Sequence, residues 1–226
     1  MVKNKKTKNE GKAGIKLKPK EKLLKYLIEH KEPHSIMGAS GAIVVDYKNT
    51  YNIVDELVGI ISKQKIGNTN LIKLNLVPNQ EIYNVENKRT EEFLSKNPKL
   101  MLIKNDIGEI GYPFMIVLIF GSYVKNTKTE SSDIDICIIS DNKEKSKELI
   151  NKLNLLSLKL EVHEFTTYEF GSMIEKTQNN LGHEIVKNNI ILYGTENYYN
   201  LISRTLGSWV PRKPKVFSVS KWMKKE

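Results

Sequence analysis

The segment IFGSYVKNTKTESSDIDICII, residues 119–139, joins a Gly-Ser pair at the end of one apolar run to two aspartates at the start of another. Asp133 and Asp135 are one residue apart, so in a strand both carboxylates point to the same face. Neighbouring carboxylates repel unless a cation lies between them, and oxygen ligands suit Mg²⁺, or Mn²⁺ in its place, carrying a triphosphate. Gly121 lets the backbone approach a ligand, and the amides opening a following helix favour phosphate near Ser122. The spacing predicts in-line attack on the α-phosphorus of a nucleoside triphosphate, with pyrophosphate leaving.

Strands are needed to hold these residues in place. Residues 115–120 are nearly all apolar, as is typical of a strand covered on both faces. In DIDICII, alternation points Ile134, Ile136 and Ile138 away from the aspartates. A helix is predicted over NKEKSKELINKL, a strand over LKLEVHEF, a helix over TTYEFGSMIEKT, and a short strand at 190–193 before a final helix. The pattern predicts an α/β domain over residues 86–204.

The order of these features resembles the minimal nucleotidyltransferases of the polymerase-beta-like superfamily, whose signature is GS, about ten residues, and DxD between two strands. FGSY opens the signature here and SDIDI closes it. Lys125 lies where the family often has a basic residue. Asn126 lies where a glycine is common, and asparagine tolerates positive φ. The resemblance implies a mixed sheet, two metal-binding aspartates, and Lys125 joining the Gly-Ser pair on the phosphates.

The resemblance also implies a third carboxylate from a later strand, which completes a two-metal site and helps to deprotonate the acceptor hydroxyl. Glu161 in LKLEVHEF is the candidate, although many members of the family have aspartate there. Alternation places Glu161 on the same face as Lys159 and His163. His163 could bind a nucleotide or act as a base, but a single histidine near a strand end is more often a half-buried polar residue.

Residues 19–80 predict a separate N-terminal domain. An apolar stripe follows Pro19 in a first helix, and Ser35 and Asp46 are predicted N-caps of a second and a third. KQKIGNTNLIKLNLV predicts a hairpin with a Gly-Asn turn. Three short helices and a hairpin resemble the winged helix-turn-helix. Its combination with the later domain, ending in IILYGTENYY, is similar to an archaeal-type group of such proteins. A winged helix-turn-helix followed by an α/β domain makes the predicted fold class α+β.

The winged-helix resemblance makes VDYKNTYNIVDELV the start of a recognition helix for DNA. Lys65 and Lys73 on the hairpin are placed to reach phosphates. Such a bundle can equally serve for protein docking or dimerisation. The candidate DNA contacts, predicted to be exposed, are Lys48, Asn49, Thr50 and Asn52.

The net charge of +10 is concentrated at the two ends of the chain. Residues 1–22 carry nine lysines and two glutamates, residues 204–226 carry seven lysines or arginines and one glutamate, and the remainder has a net charge of −3. A basic groove on the folded body therefore does not follow from the net charge.

The two ends are predicted to be tails of different kinds. Residues 1–18 predict a disordered basic tail. Residues 205–226 predict a basic aromatic tail, in which Trp209, Phe217 and Trp222 alternate with cations. That mixture suits RNA or a docking partner, or the aromatic side chains pin the tail to the protein.

Several classes of protein are disfavoured. The single Cys137 cannot form an internal disulfide and lies in a strand-like segment, which is typical of a buried structural thiol. The longest apolar run, residues 112–120, is too short to cross a bilayer, and the N-terminus lacks an apolar signal region. A cytoplasmic protein is expected.

Two functional hypotheses remain open. The first is a Mg²⁺-dependent transfer of a nucleoside monophosphate to a hydroxyl of tRNA, a protein or a small molecule, in a protein that binds DNA through the winged helix. The resemblance also points to an antitoxin-like role beside a helical toxin partner. The second is a transcriptional regulator in which the transferase fold is catalytically silent.

Overall fold

The structure is a computed structural model that describes residues 16–207. Both predicted tails therefore lie outside the described residues, apart from residues 16–18 and 205–207, and so do Trp209, Phe217 and Trp222. Within the described part of the chain, no helix has the length and apolar character needed to span a membrane.

The N-terminal part consists of three helices and a small antiparallel sheet of order β1-β3-β2. Its elements are α1 (Pro19–Glu29), β1 (His34–Ser35), α2 (Ile36–Ile43), α3 (Tyr47–Glu56), β2 (Ile61–Ile66) and β3 (Thr69–Leu74).

Local signals set most of these boundaries. The Ser35 hydroxyl accepts a hydrogen bond from the Gly38 amide at 2.9 Å, and the Asp46 carboxylate accepts one from the Asn49 amide at 2.8 Å, so both predicted N-caps are confirmed. The Gly-Asn turn is also confirmed, because Ile66 pairs with Thr69 across it. Strand β1 was not predicted: two residues carry no readable alternation.

The remaining elements follow one long connecting helix. They are α4 (Gln80–Lys96), α5 (Met101–Ile110), β4 (Ile116–Phe120), β5 (Ile134–Ile139), α6 (Lys143–Asn154), β6 (Leu160–Phe165), α7 (Thr167–Glu175), α8 (Leu181–Lys187), β7 (Ile190–Tyr193) and α9 (Thr195–Thr205), with a short 3₁₀ turn before α5. Helix α4 begins at Gln80, six residues before the predicted start of the second domain at residue 86. Asn79 caps the helix by accepting a hydrogen bond from the Glu81 amide.

The larger sheet has the order β6-β5-β4-β7 and is mixed, as predicted. Strand β5 runs antiparallel to β4 and parallel to β6, while β7 is antiparallel to β4. One face packs on α5 and α6 through side chains such as Ile136 and Leu149. The other face packs on α7, α8 and α9 and shares a continuous buried cluster with α1 and α4. Cys137 is fully buried on that second face, which confirms the predicted burial of its thiol.

A buried polar network ties α4 to α9 and to the start of β7. Arg89 forms an ion pair with Glu86, and its Nη2 donates to the backbone oxygen of Asn189 at 3.2 Å. The Tyr199 hydroxyl donates to Glu86 Oε1 at 2.7 Å, and Thr90 Oγ1 donates to the backbone oxygen of Ile191 at 2.8 Å. This network fixes α4 against the sheet that carries the candidate site.

Candidate active site

A tight turn follows β4 and brings its backbone against β5. Gly121 has φ +69°, and a Cβ built there would lie 1.9 Å from Asp135 Oδ2. The turn is closed by a hydrogen bond from the Lys125 amide to the Gly121 oxygen at 3.1 Å. Residues 121–126 form turns and not the helix expected after Ser122. Gly121 therefore allows a close approach of the turn to the Asp135 carboxylate, while its predicted approach to a ligand stays a prediction.

Sheet register brings two of the predicted acidic residues together. Asp135 is opposite Phe120 on β4 and opposite Glu161 on β6. One ligand atom from each of Asp135, Glu161 and His163 lies within 4.8 Å of the others. Glu161 Oε1 is 3.2 Å from His163 Nε2. The arrangement is a half-open cluster of two carboxylates and an imidazole beside the Gly-Ser turn.

The electrostatics of Asp135 follow from this setting. Burial raises the pKa of its carboxyl above the ordinary value, and the neighbouring Glu161 carboxylate raises it further. The imidazole of His163 and a hydrogen bond from the backbone amide of Ser122 act in the opposite direction. The unfavourable burial and carboxylate repulsion would both be relieved by a bound cation.

Asp133 occupies a different position from Asp135. Strand β5 begins at Ile134, so Asp133 lies just before the strand and the alternation argument does not fix where its side chain points. It is exposed. Within residues 16–207, the cluster of possible metal ligands contains Asp135 without Asp133.

The predicted phosphate-binding lysine has a protein partner. Lys125 forms an ion pair with Glu184 on α8, and both side chains are about two-fifths exposed. A ligand phosphate would have to compete with that carboxylate. The neighbouring Asn126 has φ 55°, which confirms that asparagine takes the left-handed conformation where the family often has glycine.

His163 is half-buried, as is typical of a histidine near a strand end, and it also lies beside two carboxylates. Only a quarter of its side chain is exposed, and its ring centroid lies 5.5 Å from that of Phe120. The available signal was its two-residue spacing from Glu161 on a strand. That spacing places both side chains on one face, but it does not reveal that Asp135 lies opposite.

The candidate DNA contacts on α3 divide into two groups. Lys48, Asn49 and Asn52 are exposed, as predicted. The prediction that Thr50 is exposed was wrong. Its side chain is fully buried, and its hydroxyl donates to the Asp46 backbone oxygen at 3.0 Å. The reason is geometric: residue 50 lies on the same helix face as Ile53, which is in the core.

The two lysines predicted on the hairpin also differ in exposure. Lys65 is exposed near the tip of the hairpin. Lys73 on β3 is half-buried, and burial lowers the pKa of its ammonium group. Lys65 is therefore the better placed of the two for a phosphate contact.

The donor atoms present fit a divalent cation. Oxygen ligands from Asp135 and Glu161 suit Mg²⁺ or Mn²⁺, and the imidazole nitrogen of His163 suits transition metals. For bonds near 2.1 Å, ligand atoms on opposite sides of one cation are about 4.2 Å apart. The three ligand atoms lie within 4.8 Å of one another, so small side-chain rotations would bring them to one ion.

A family model matches the part of the chain that carries this site. Residues 113–198 match the family model described as Polymerase beta, Nucleotidyltransferase. The match begins before β4 and includes the Gly-Ser turn, Asp133, Asp135 and Glu161. This part of the chain is thus similar to the nucleotidyltransferases, and the match supports an enzyme of that class.

A protein of Methanocaldococcus jannaschii, provisionally named protein adenylyltransferase, is 32% identical over 81 residues. The aligned region covers 35% of this chain and 56% of that protein, so the match spans a little over half the length of the relative. No solved structure matches the chain significantly.

Proposed function

We propose that this protein transfers a nucleoside monophosphate from a nucleoside triphosphate to an acceptor hydroxyl. The observation that carries the proposal is the convergence of Asp135 and Glu161 beside the Gly121 turn. The name of the M. jannaschii relative favours ATP as the donor and a protein as the acceptor. A hydroxyl of tRNA or of a small molecule would satisfy the same chemistry.

Each residue has a separate role in this proposal. Asp135 and Glu161 hold Mg²⁺ or Mn²⁺, and Asp133 joins them when its exposed side chain turns toward the site. The bound cation would neutralise phosphate charge and polarise the reacting oxygens. Gly121 leaves room for the Asp135 carboxylate and so keeps the phosphate-binding turn next to the cation. Ser122 and Lys125 contact the phosphates, with Lys125 leaving Glu184.

The reaction balances without a redox partner. The acceptor oxygen forms a bond to the α-phosphorus, and the bond from that phosphorus to the pyrophosphate oxygen breaks. The acceptor proton passes to a carboxylate. Glu161 is more accessible for this role than Asp135, because 58% of its side chain is exposed whereas Asp135 is half-buried.

The N-terminal part is proposed to be a winged helix-turn-helix of the archaeal type that binds DNA. Its support is the order of three helices with a sheet of order β1-β3-β2, which places a hairpin after α3. Lys48, Asn49 and Asn52 would contact the major groove, and Lys65 a phosphate.

A second function is favoured by two specific observations. Asp133 is outside the cluster of ligand atoms, and Lys125 is paired with Glu184. Both fit a transcriptional regulator or antitoxin-like protein, with a helical toxin partner in the latter case, in which the transferase fold is catalytically silent.

Label transfer distinguishes the two functions. With α-³²P-labelled ATP and Mg²⁺ or Mn²⁺, the wild-type protein is expected to label an acceptor in a cell extract. The double variant Asp133→Ala/Asp135→Ala is expected to lose about 1,000-fold in rate, because several kcal/mol of charge stabilisation disappear. Glu130→Ala, an exposed change in the same loop, serves as the matched control. Absence of labelling by a folded wild-type protein that still binds DNA would favour the silent regulator.

DNA binding by α3 is tested separately. Asn49→Ala is expected to weaken binding to an operator-containing fragment by about tenfold or more in a gel shift, since one amide contact to a base contributes about 1–3 kcal/mol. Wild-type binding should weaken steeply with salt. The control is Asn151→Ala, an exposed asparagine on α6. Equal binding by both variants, with no salt dependence, would refute a DNA-binding α3.

A further inference from the structure

The ligand set at the candidate site differs from one made only of carboxylates. Within the described residues, the atoms that lie together come from Asp135, Glu161 and His163. The Glu161 Oε1 to His163 Nε2 distance of 3.2 Å is close to the spacing of adjacent ligands around one divalent cation, about 3 Å for metal–ligand bonds near 2.1 Å. The imidazole nitrogen is therefore as well placed as the carboxylates to bind an ion.

The fold holds His163 in this position. It lies on β6, opposite Cys137 on β5, and is flanked on both sides by further residue pairs of the same parallel ladder. Its ring contacts the Phe120 ring, at a centroid distance of 5.5 Å, and its side chain is less exposed than that of Glu161, at 25% against 58%. A partly buried ring on a strand paired with β5 loses less conformational freedom on binding a metal than an exposed loop side chain such as Asp133.

We propose that His163 is a third metal ligand, and that Asp135, Glu161 and His163 make a mixed oxygen and nitrogen site that prefers a divalent transition ion such as Mn²⁺ to Mg²⁺. Imidazole suits transition metals, whereas Mg²⁺ takes oxygen ligands almost alone. The inference rests on the proposed function in that it concerns the same site, but it specifies which ion the site takes and which atom selects it.

A different role for His163 predicts a different result. If the imidazole only forms an ion pair with Glu161, it orients that carboxylate and the cation is bound by oxygen atoms alone. The two roles differ in one observable, the presence of nitrogen in the coordination shell of the ion.

The test uses Mn²⁺ alone with the full-length protein. Binding is followed by the loss of the free-Mn²⁺ electron paramagnetic resonance signal, and ¹⁴N coupling to bound Mn²⁺ is read by electron spin echo envelope modulation. The wild-type protein should show ¹⁴N coupling. Mg²⁺ should displace Mn²⁺ only at an excess of about tenfold or more.

Two variants assign the nitrogen. His163→Asn removes Nε2 and keeps a small polar side chain. It should lose the ¹⁴N coupling, weaken Mn²⁺ binding by about tenfold or more and change Mg²⁺ binding much less. The control, His30→Asn, changes an exposed histidine at the end of α1 and should leave all three readouts unchanged. The wild-type coupling needs no variant, so a poorly folding His163→Asn leaves the test intact.

The outcomes separate this inference from the proposed function. Bound Mn²⁺ without ¹⁴N coupling, or coupling that survives in His163→Asn, overturns the inference while nucleotidyl transfer remains measurable. Absence of Mn²⁺ binding together with absence of label transfer overturns both. Mn²⁺ binding that is lost equally in His163→Asn and His30→Asn also overturns it, because the effect is then not local to the site.

Discussion

Gly121→Ala is expected to abolish nucleotidyl transfer, with a fall of about 100-fold or more in rate. The added Cβ would lie 1.9 Å from Asp135 Oδ2 and 2.8 Å from its Cγ, far inside van der Waals contact. Either the Asp135 side chain moves away from Glu161, or the turn moves away from β5. A displacement of about 1 Å at reacting groups is enough for a loss of that size. Label transfer measured beside thermal unfolding checks the result.

The control for this variant is Gly111→Ala. Gly111 ends α5 with φ +61°, close to the φ of Gly121, but a Cβ there would meet nothing within 4 Å. Both variants should lose stability by roughly 1–2 kcal/mol, because alanine is strained in the left-handed region. Gly121→Ala alone should lose activity. Transfer retained by Gly121→Ala at the wild-type rate would remove the reason for placing the phosphates and Asp135 together at this turn.

Arg89→Ala is expected to destabilise the protein by about 3–5 kcal/mol. Arg89 and Glu86 are 6% and 2% exposed, so the variant leaves a carboxylate buried with the Tyr199 hydroxyl as its remaining described partner. It also removes the hydrogen bond to the Asn189 oxygen. Urea unfolding measures the loss as a change in the free energy of unfolding.

The same helix provides a matched control. Lys96 and Glu92 form an ion pair one turn apart on α4, with 69% and 32% of their side chains exposed. Lys96→Ala should cost less than about 1 kcal/mol, because an exposed pair is screened by water. The double variant Glu86→Leu/Arg89→Met should recover part of the loss, since it removes both buried charges. Equal losses for Arg89→Ala and Lys96→Ala would show that the network is not a main contributor to stability.

Some of the features behind these expectations were predicted from the sequence, and others were not. The N-caps at Ser35 and Asp46 were predicted and are present, because a cap depends on a side chain and an amide a few residues away. The Gly67-Asn68 turn was found for the same reason. The resemblance to nucleotidyltransferases rested on an equally local pattern, the spacing of GS and DxD, and the match to residues 113–198 supports it.

Predictions from local sequence were wrong where the orientation or burial of a side chain depends on a distant part of the chain. Thr50 was predicted to be exposed near the start of α3, but the packing of α3 on the core buries its side chain. Asp133 was counted within the strand, whereas the ladder begins one residue later. The Glu86–Arg89 pair was not predicted, and the docking of α9 and β7 against α4 makes it buried.

The amino-acid sequence by itself determined the chemistry available: two acidic positions and a glycine bend at fixed spacing, which short-range geometry places on a strand and a turn. The tertiary structure decided which of those groups meet. Asp135 and Glu161 are adjacent because β5 and β6 pair in parallel with these two residues opposite each other. His163 joins them because it lies on β6, two residues after Glu161. Strand pairing is a long-range contact chosen by burial of both sheet faces, and no local pattern states its register.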